Sequence, residues 1–526
     1  MAGLVAPSAR TQSIAPARDG TGTIVTPQGN QFDITGGTLS SDRANLFHSF
    51  QQFGLDANQI ANFISNPQIQ NILGRVAGGD PSVINGLIQV TGGNSNLFLL
   101  NPAGILFGPN ASLNVPAAFT ATTATGMRFG DQWWSAYGAN PYSSLVGNPD
   151  GFALLQAGPI ANAGTLVAAP GQSVTLIGGT VVNTGTIATP GGKVTIAALP
   201  GDRWVRLSQE GSVLSLDLPL QDRETLQSPF PLTPLTLPEL LTGNVSNHPG
   251  LIVQSGKIDV SSSNAQGGMV QISAKVAVLD GQVNASGSSG GTIRVEGDRL
   301  LQTGQMRADG QRDAGGQVQI QLQERGIQTT SGLISVQGGS QGKGGTVQFQ
   351  GGTRFSPSVT PGLFLSGQID ASGQQGGTVQ ILGQQLDLYD AQIRANGVQG
   401  GGTILVGGDF QGKNPVVPNA DRTTLNFSTT LQANAFQNGS GGRVIVWSNQ
   451  KTEFAGTIQA RGGLQSGEGG FVEVSGQESL GMGGQVEVGA TNGRNGTLLL
   501  DPKNIIISET TGIFPQFDLI DPNQGG

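Results

Sequence analysis

From residue 251 onward one short pattern recurs: Gly-x-(Ile/Val)-x-(Ala/Val), a polar turn, then Gly-Gly-x-(Val/Ile)-x-(Ile/Val). Gly256-Lys257-Ile258-Asp259-Val260 leads to Gly267-Gly268-Met269-Val270-Gln271-Ile272, and Gly367-Gln368-Ile369-Asp370-Ala371 leads to Gly376-Gly377-Thr378-Val379-Gln380-Ile381. The first glycines of successive pairs stand at 267, 290, 315, 344 and 376, spaced by 23, 25, 29 and 32 residues. A period of roughly 20–50 residues signals a solenoid. Within each run apolar and polar residues alternate, so one face of a strand is buried and the other is wet. A single coil cannot bury its apolar face alone, whereas stacked coils share one core. The fold expected is all-β, a right-handed parallel β-helix. Roughly 20 coils at ~4.8 Å each would make a rod on the order of 100 Å long.

Composition supports this and narrows the function. Glycine supplies 85 of 526 residues, far above the usual ~7%, yet it punctuates Val/Ile runs at intervals. Such a chain forms short strands and tight turns. Lys and Arg number 26 against 34 Asp and Glu, a net charge of −8 without a basic block, so nucleic acid is not an expected partner. No apolar run is long enough to span a membrane as a helix. There is no cysteine, and the two histidines, His48 and His248, lie 200 residues apart. A zinc site or a His-based triad is therefore not expected, nor any cofactor or metal. His48, between Phe47 and Phe50, reads as structural.

The most informative stretch is 45–124. Leu97-Phe98-Leu99-Leu100 and Ile105-Leu106-Phe107 flank Asn101-Pro102-Ala103-Gly104. Proline presets φ at the first corner of a turn, and asparagine can close the turn through its side chain. This predicts strand, tight turn, strand. Upstream stand Asn45-Leu46-Phe47-His48-Ser49-Phe50-Gln51-Gln52-Phe53, Asn66-Pro67-Gln68-Ile69 and Ile84-Asn85-Gly86-Leu87-Ile88-Gln89-Val90. Asn114-Val115-Pro116-Ala117-Ala118-Phe119-Thr120-Ala121-Thr122-Thr123-Ala124 follows.

In this order the motifs resemble the secretion domain of filamentous-haemagglutinin-like exoproteins, the passengers of two-partner secretion, in their cyanobacterial form. The resemblance covers residues 13 to 200 in detail. It implies a secreted, non-enzymatic exoprotein or adhesin, exported by way of the periplasm through a cognate outer-membrane β-barrel transporter with periplasmic domains. It also implies surface carbohydrate or a host or cell receptor as a further partner; the chain itself is expected to be monomeric. The family's Asn-Pro-Asn-Gly-Ile motif maps onto Asn101, Pro102, Ala103, Gly104 and Ile105, with alanine in third place. Its Asn-Pro-Asn-Leu motif maps onto Asn66, Pro67, Gln68 and Ile69, with two changes. These nine residues are the expected transporter-recognition site; the alternative is that the Asn-Pro turns only stabilise coils.

The organisation that follows has five parts. Residues 1–12 stand where a signal is missing or only its remnant is left. A secretion domain follows over 13–217, its polar opening serving as an end cap and its strands regular from 157 onward. A Pro-rich excursion covers 218–250, with one turn of helix at 238–241. The repeats run over 251–507 and a tail over 508–526. The aromatics of 127–156 suit either a partner patch or an excursion packed on the solenoid. A β-helix polysaccharide hydrolase or lyase is the enzyme rival, and a surface or matrix β-helix binding carbohydrate is the structural one. A hydrolase wants neighbouring carboxylates. The row expected to face outward, Asp259, Asn284, Arg307, Ser335, Asp370, Arg394, Gln432 and Gln459, does not pair them.

Overall fold

The computed structural model describes residues 14–155, 157–201, 203–206, 215–217, 249–352 and 362–503, with 203–206 and 215–217 given by backbone alone. The chain winds as a parallel β-helix whose coils have three strand positions. Ser173–Gly178, Thr180–Asn183 and Thr186–Ala188 make one coil; Lys193–Ala198, Leu251–Gln254 and Lys257–Asp259 make the next. First strands pair with first, second with second and third with third. In the repeats the first two positions fuse into long strands such as Met269–Leu279 and Thr292–Gln302.

The alternation in sequence becomes the core. On the first strands Val194, Val270, Ile293, Val318 and Val347 stack in register, each fully buried. On the third, Ile258, Val283, Met306 and Ile334 do the same. Each buried aliphatic contributes about 1.5–3 kcal/mol, and because the ladders are continuous the core is one column. On the second strands the outward residues Val83, Leu106, Ala161 and Val182 also stack level by level.

Each Gly-Gly corner lies where the backbone of one coil meets the next. A Cβ on Gly291 would stand 2.1 Å from the carbonyl oxygen of Gly268; on Gly316, 2.1 Å from Gly291; on Gly345, 2.1 Å from Gly316. No side chain fits that gap, which is why the pair recurs.

The third-strand sheet holds sixteen strands among the described residues. The first, Thr23–Gln28, pairs antiparallel with Gln31–Gly36 and closes the end. Fifteen parallel levels remain, about 67 Å at ~4.8 Å per step, shorter than the rod expected from chain length. The difference is chain spent outside the coils. Excursions leave between first and second strands, after Phe119–Thr122 and after Lys193–Ala198. Gly126–Phe129, Gln132–Ser135, Gly151–Leu154, Arg203–Arg206 and Ser215–Asp217 form a separate antiparallel sheet. The strands near 203–217 therefore do not continue the coil rhythm expected through 217. The helical turn expected at 238–241, the segment 1–12 and the tail beyond 503 lie outside the described residues.

The aromatic cluster is packing. Phe129, Trp134 and Phe152 are buried against Phe47, Phe98 and Leu100 on the outer side of the first strands. Phe47 meets Trp134 at 5.6 Å and Phe129 at 6.1 Å between ring centroids.

Candidate functional site

Asn101 ends the first strand Asn96–Leu100, and Ile105–Phe107 begins the second. Between them the amide of Gly104 donates to the Asn101 carbonyl at 3.1 Å, and the Ala103 amide donates to Asn101 Oδ1 at 3.0 Å. Asn101 Nδ2 donates to the Asp80 carbonyl and to Ser82 Oγ, both at 3.0 Å. Gly104 sits at φ +129°, where its carbonyl accepts the Ser82 amide at 3.0 Å. On the other side the Gly158 amide donates to the Pro102 carbonyl at 3.0 Å. The turn is thus sealed between the corresponding corners of neighbouring coils. Asn101 and Ile105 are fully buried, Pro102 and Gly104 are buried, and only Ala103 is partly exposed.

Asn66-Pro67-Gln68-Ile69 is the same turn built elsewhere. The Gln68 amide donates to Asn66 Oδ1 at 2.9 Å, and the Ile69 amide to the Asn66 carbonyl at 3.1 Å. It joins a third strand, Ile60–Ile64, to a first strand, Asn71–Val76, so it occupies a different corner of the coil. Here Asn66, Pro67 and Gln68 are exposed, and only Ile69 turns inward. The two halves of the expected site are not brought together: they share a construction, and one faces solvent while the other is enclosed.

Two features around these turns escaped the sequence reading. Asn45, Asn71 and Asn96 stand at one register position in successive coils. Asn71 Nδ2 donates to Asn45 Oδ1 at 2.8 Å, and Asn96 Nδ2 to Asn71 Oδ1 at 2.9 Å. Asn45 Nδ2 also donates to the Leu145 and Gly147 carbonyls, and Asn71 Nδ2 to Asn148 Oδ1. The ladder fastens the first excursion to the coils; asparagines 26 and 25 residues apart, at the spacing of the coils, were the available signal. The second feature is Arg75. It donates to Asp19 Oδ2 at 2.8 Å, to Ser49 Oγ at 3.0 Å and to the carbonyls of Ser135 and Gly138. Burial pushes the Asp19 carboxyl up, but hydrogen bonds from Ser49, Thr21 and Arg75 outweigh it and hold the group far below the usual carboxylate range.

The row expected to face outward can be followed through the coils. The row from Asp259 to Gln459 is in register level by level, so Asn284, Arg307 and Ser335 separate Asp259 from Asp370. Its members are half-buried, with Ser335 and Asp370 buried, and are less open than the sequence suggested. Among the described residues no three His, Asp or Glu gather as metal ligands.

Residues 11–228 match the family model described as the TPS secretion domain. No curated protein matches the chain. Of solved structures, it is similar to the HMW1 secretion domain from Haemophilus influenzae at 22% identity and a TM-score of 0.48, covering 93% of this chain and 100% of that one. It is also similar to the filamentous hemagglutinin secretion domain at 17% identity and a TM-score of 0.31, covering 63% of this chain and 97% of that one. Residues 11–228 thus form a TPS secretion domain, and the chain that carries it is a two-partner secreted exoprotein, with a cognate outer-membrane transporter as the partner this domain implies.

Proposed function

We propose that the transporter reads the Asn-Pro turns while the N-terminal coils are still open. The observation that carries this is the contrast between the two turns. Every polar atom of the Asn101 side chain is spent inside the fold, so the completed coil offers nothing there to a partner. Asn66, Pro67 and Gln68 are exposed even in the folded coil. Recognition that includes Asn101 must therefore precede stacking, and stacking then withdraws the motif. Closure of successive coils outside the cell supplies a free-energy gradient for export, since each coil buries its apolar face only against the last.

Once folded, the rod acts as a non-enzymatic adhesin or surface component whose polar outer rows contact carbohydrate or a cell receptor. Supporting this, Gln319, Gln348 and Gln380 stack in register on the outer side of the first strands. Uncharged amides offer donors and acceptors together, as hydroxyl-rich ligands require.

The deciding experiment is secretion of the chain behind a signal peptide, in cells with and without the candidate transporter. Transporter-dependent appearance outside the cell is the expected result. Equal release or equal retention in both overturns the reading.

A further inference from the structure

After the first strand Thr403–Val406 the chain leaves its coil, and residues 407–421 pass over the three coils that follow before Arg422–Leu425 resumes the winding. Each of those coils holds the excursion. Asp409 Oδ1 accepts from Arg443 Nη2 at 2.7 Å on the next level. The Gln411 amide donates to both Glu473 oxygens, at 3.2 and 3.1 Å, one level further. Gln411 Nε2 donates to Asp501 Oδ2 at 2.8 Å on the level after that. Gln411 stands at φ +52°, a left-handed conformation that residues other than glycine seldom take and that gathers at ligand sites. Beneath it, Gly408 and Gly412 lie so close to Trp447 that a Cβ on them would stand 2.7 and 2.6 Å from the ring. Between the excursion and the corners of the coils runs a cleft of about 640 Å³, walled by Gln411, Asn449, Gln477, Asp501 and Lys503. That volume lies inside the ~300–1,000 Å³ usual for small-ligand sites.

We propose that this cleft holds a short stretch of a neutral glycan laid along the rod. The inference rests on the reading of the folded rod as a surface that contacts carbohydrate, and it places that contact in one walled site instead of on the open outer rows. Length suits it. Asn449, Gln477 and Lys503 stand at successive corners, the Gln477 amide donating to the Ser448 carbonyl and the Lys503 amide to the Gln477 carbonyl, so the cleft runs over about 14 Å at ~4.8 Å per step. Chemistry suits it too. Asn449 Nδ2 and the side-chain amide of Gln477 have no partner among the described residues, although Asn449 Oδ1 accepts from Trp447 Nε1 at 3.4 Å. Amides offer donors and acceptors together, as sugar hydroxyls require. Asp501 offsets the lysines, which leaves little to select a free anion or a free cation. Trp447 is 4% exposed, so it supports the excursion and offers no open face to an apolar ligand. Because the excursion is pinned on three levels, its ordering is complete before a ligand arrives, which lowers the cost of binding.

The test is calorimetric titration of the purified full chain with short oligosaccharides of glucose, galactose, mannose and N-acetylglucosamine, and with polygalacturonate as the charged counterpart. At least one neutral chain should bind, in preference to polygalacturonate. Gln477→Ala and Asn449→Ala should each raise its dissociation constant at least about tenfold with an unchanged melting temperature. Gln348→Ala, on the outer row of the first strands, should leave it unchanged. Binding that Gln348→Ala weakens and Gln477→Ala does not overturns the cleft and leaves the outer rows as the contact. A preference for polygalacturonate overturns the neutral ligand. Failure of every sugar to bind overturns both the cleft and the carbohydrate reading of the rod.

Discussion

The guanidinium of Arg75 meets the Asp19 carboxylate at 2.8 Å from an almost fully enclosed position, its side chain 2% exposed against 26% for Asp19. The pair joins three parts of the chain: the cap through Asp19, the first coils through Ser49, and the first excursion through the carbonyls of Ser135 and Gly138. Arg75→Met leaves a half-buried carboxylate and two carbonyls without their donor. Breaking such a pair costs roughly 3 kcal/mol, and chemical denaturation should read a loss of that size. Because the folded-state pKa of Asp19 is depressed, its contribution is fully present above the unfolded value. It fades only as pH falls below about 4. In Arg75→Met that acid-side slope should flatten.

The two Asn-Pro turns separate folding from recognition. Asn101→Ala deletes three hydrogen bonds of a fully buried side chain and should lower stability by roughly 2–3 kcal/mol. Asn66→Ala, at an exposed turn, should cost only ~0.5 kcal/mol. If the transporter reads both, secretion falls in both variants although only one is destabilised. Normal export of Asn66→Ala with impaired export of Asn101→Ala would tie the loss to folding instead.

Much of this architecture was legible because local spacing dictates it. The Gly-Gly period sets the coil, and Ile258, Val283 and Met306 sit inside because their neighbours are polar. The row from Asp259 to Gln459, read from sequence as one line, is one line in the structure. The turn at Asn101 followed from its Asn-Pro-x-Gly residues. What stayed hidden depends on chain segments far apart. Arg75 and Asp19 are 56 residues apart, and Gly151–Leu154 pairs with Arg203–Arg206 although two turns of the coil intervene. The outward aliphatics of the second strands were masked differently. In Leu251–Gln254 valine lies outside and glutamine inside, so polarity there reports the wrong face.

The glycine ladder should be intolerant at its closest points. In Gly345→Ala the new methyl would stand 2.1 Å from the Gly316 carbonyl oxygen. Backbone cannot yield by more than an ångström without opening the coil, so a loss of roughly 3 kcal/mol is expected. Limited proteolysis should show new cleavage near the corner. Gly400→Ala is the control: its Cβ would meet only the Ser440 carbonyl, at 3.9 Å, and should leave both readouts unchanged.

His48 should make the N-terminal coil sensitive to mild acid. The ring is 1% exposed, lies 6.2 Å from Phe50 and 5.9 Å from Phe63 between centroids, and neither nitrogen has a hydrogen-bond partner. Burial alone pushes its pKa down to about 4 from the ordinary 6.5. A depressed histidine favours the unfolded chain wherever that chain binds the extra proton. Stability should therefore be unaffected above about pH 7 and decline as pH falls from 6.5 toward 4, by up to ~3 kcal/mol at the lower end. The same window lies above that of Asp19, so the two slopes can be told apart. His48→Leu removes the titrating group and keeps the cavity filled with an apolar side chain. Its melting temperature should stay level between about pH 7 and pH 5 where that of the unmodified protein falls. An equal fall in both would mean that the acid sensitivity arises elsewhere in the coil.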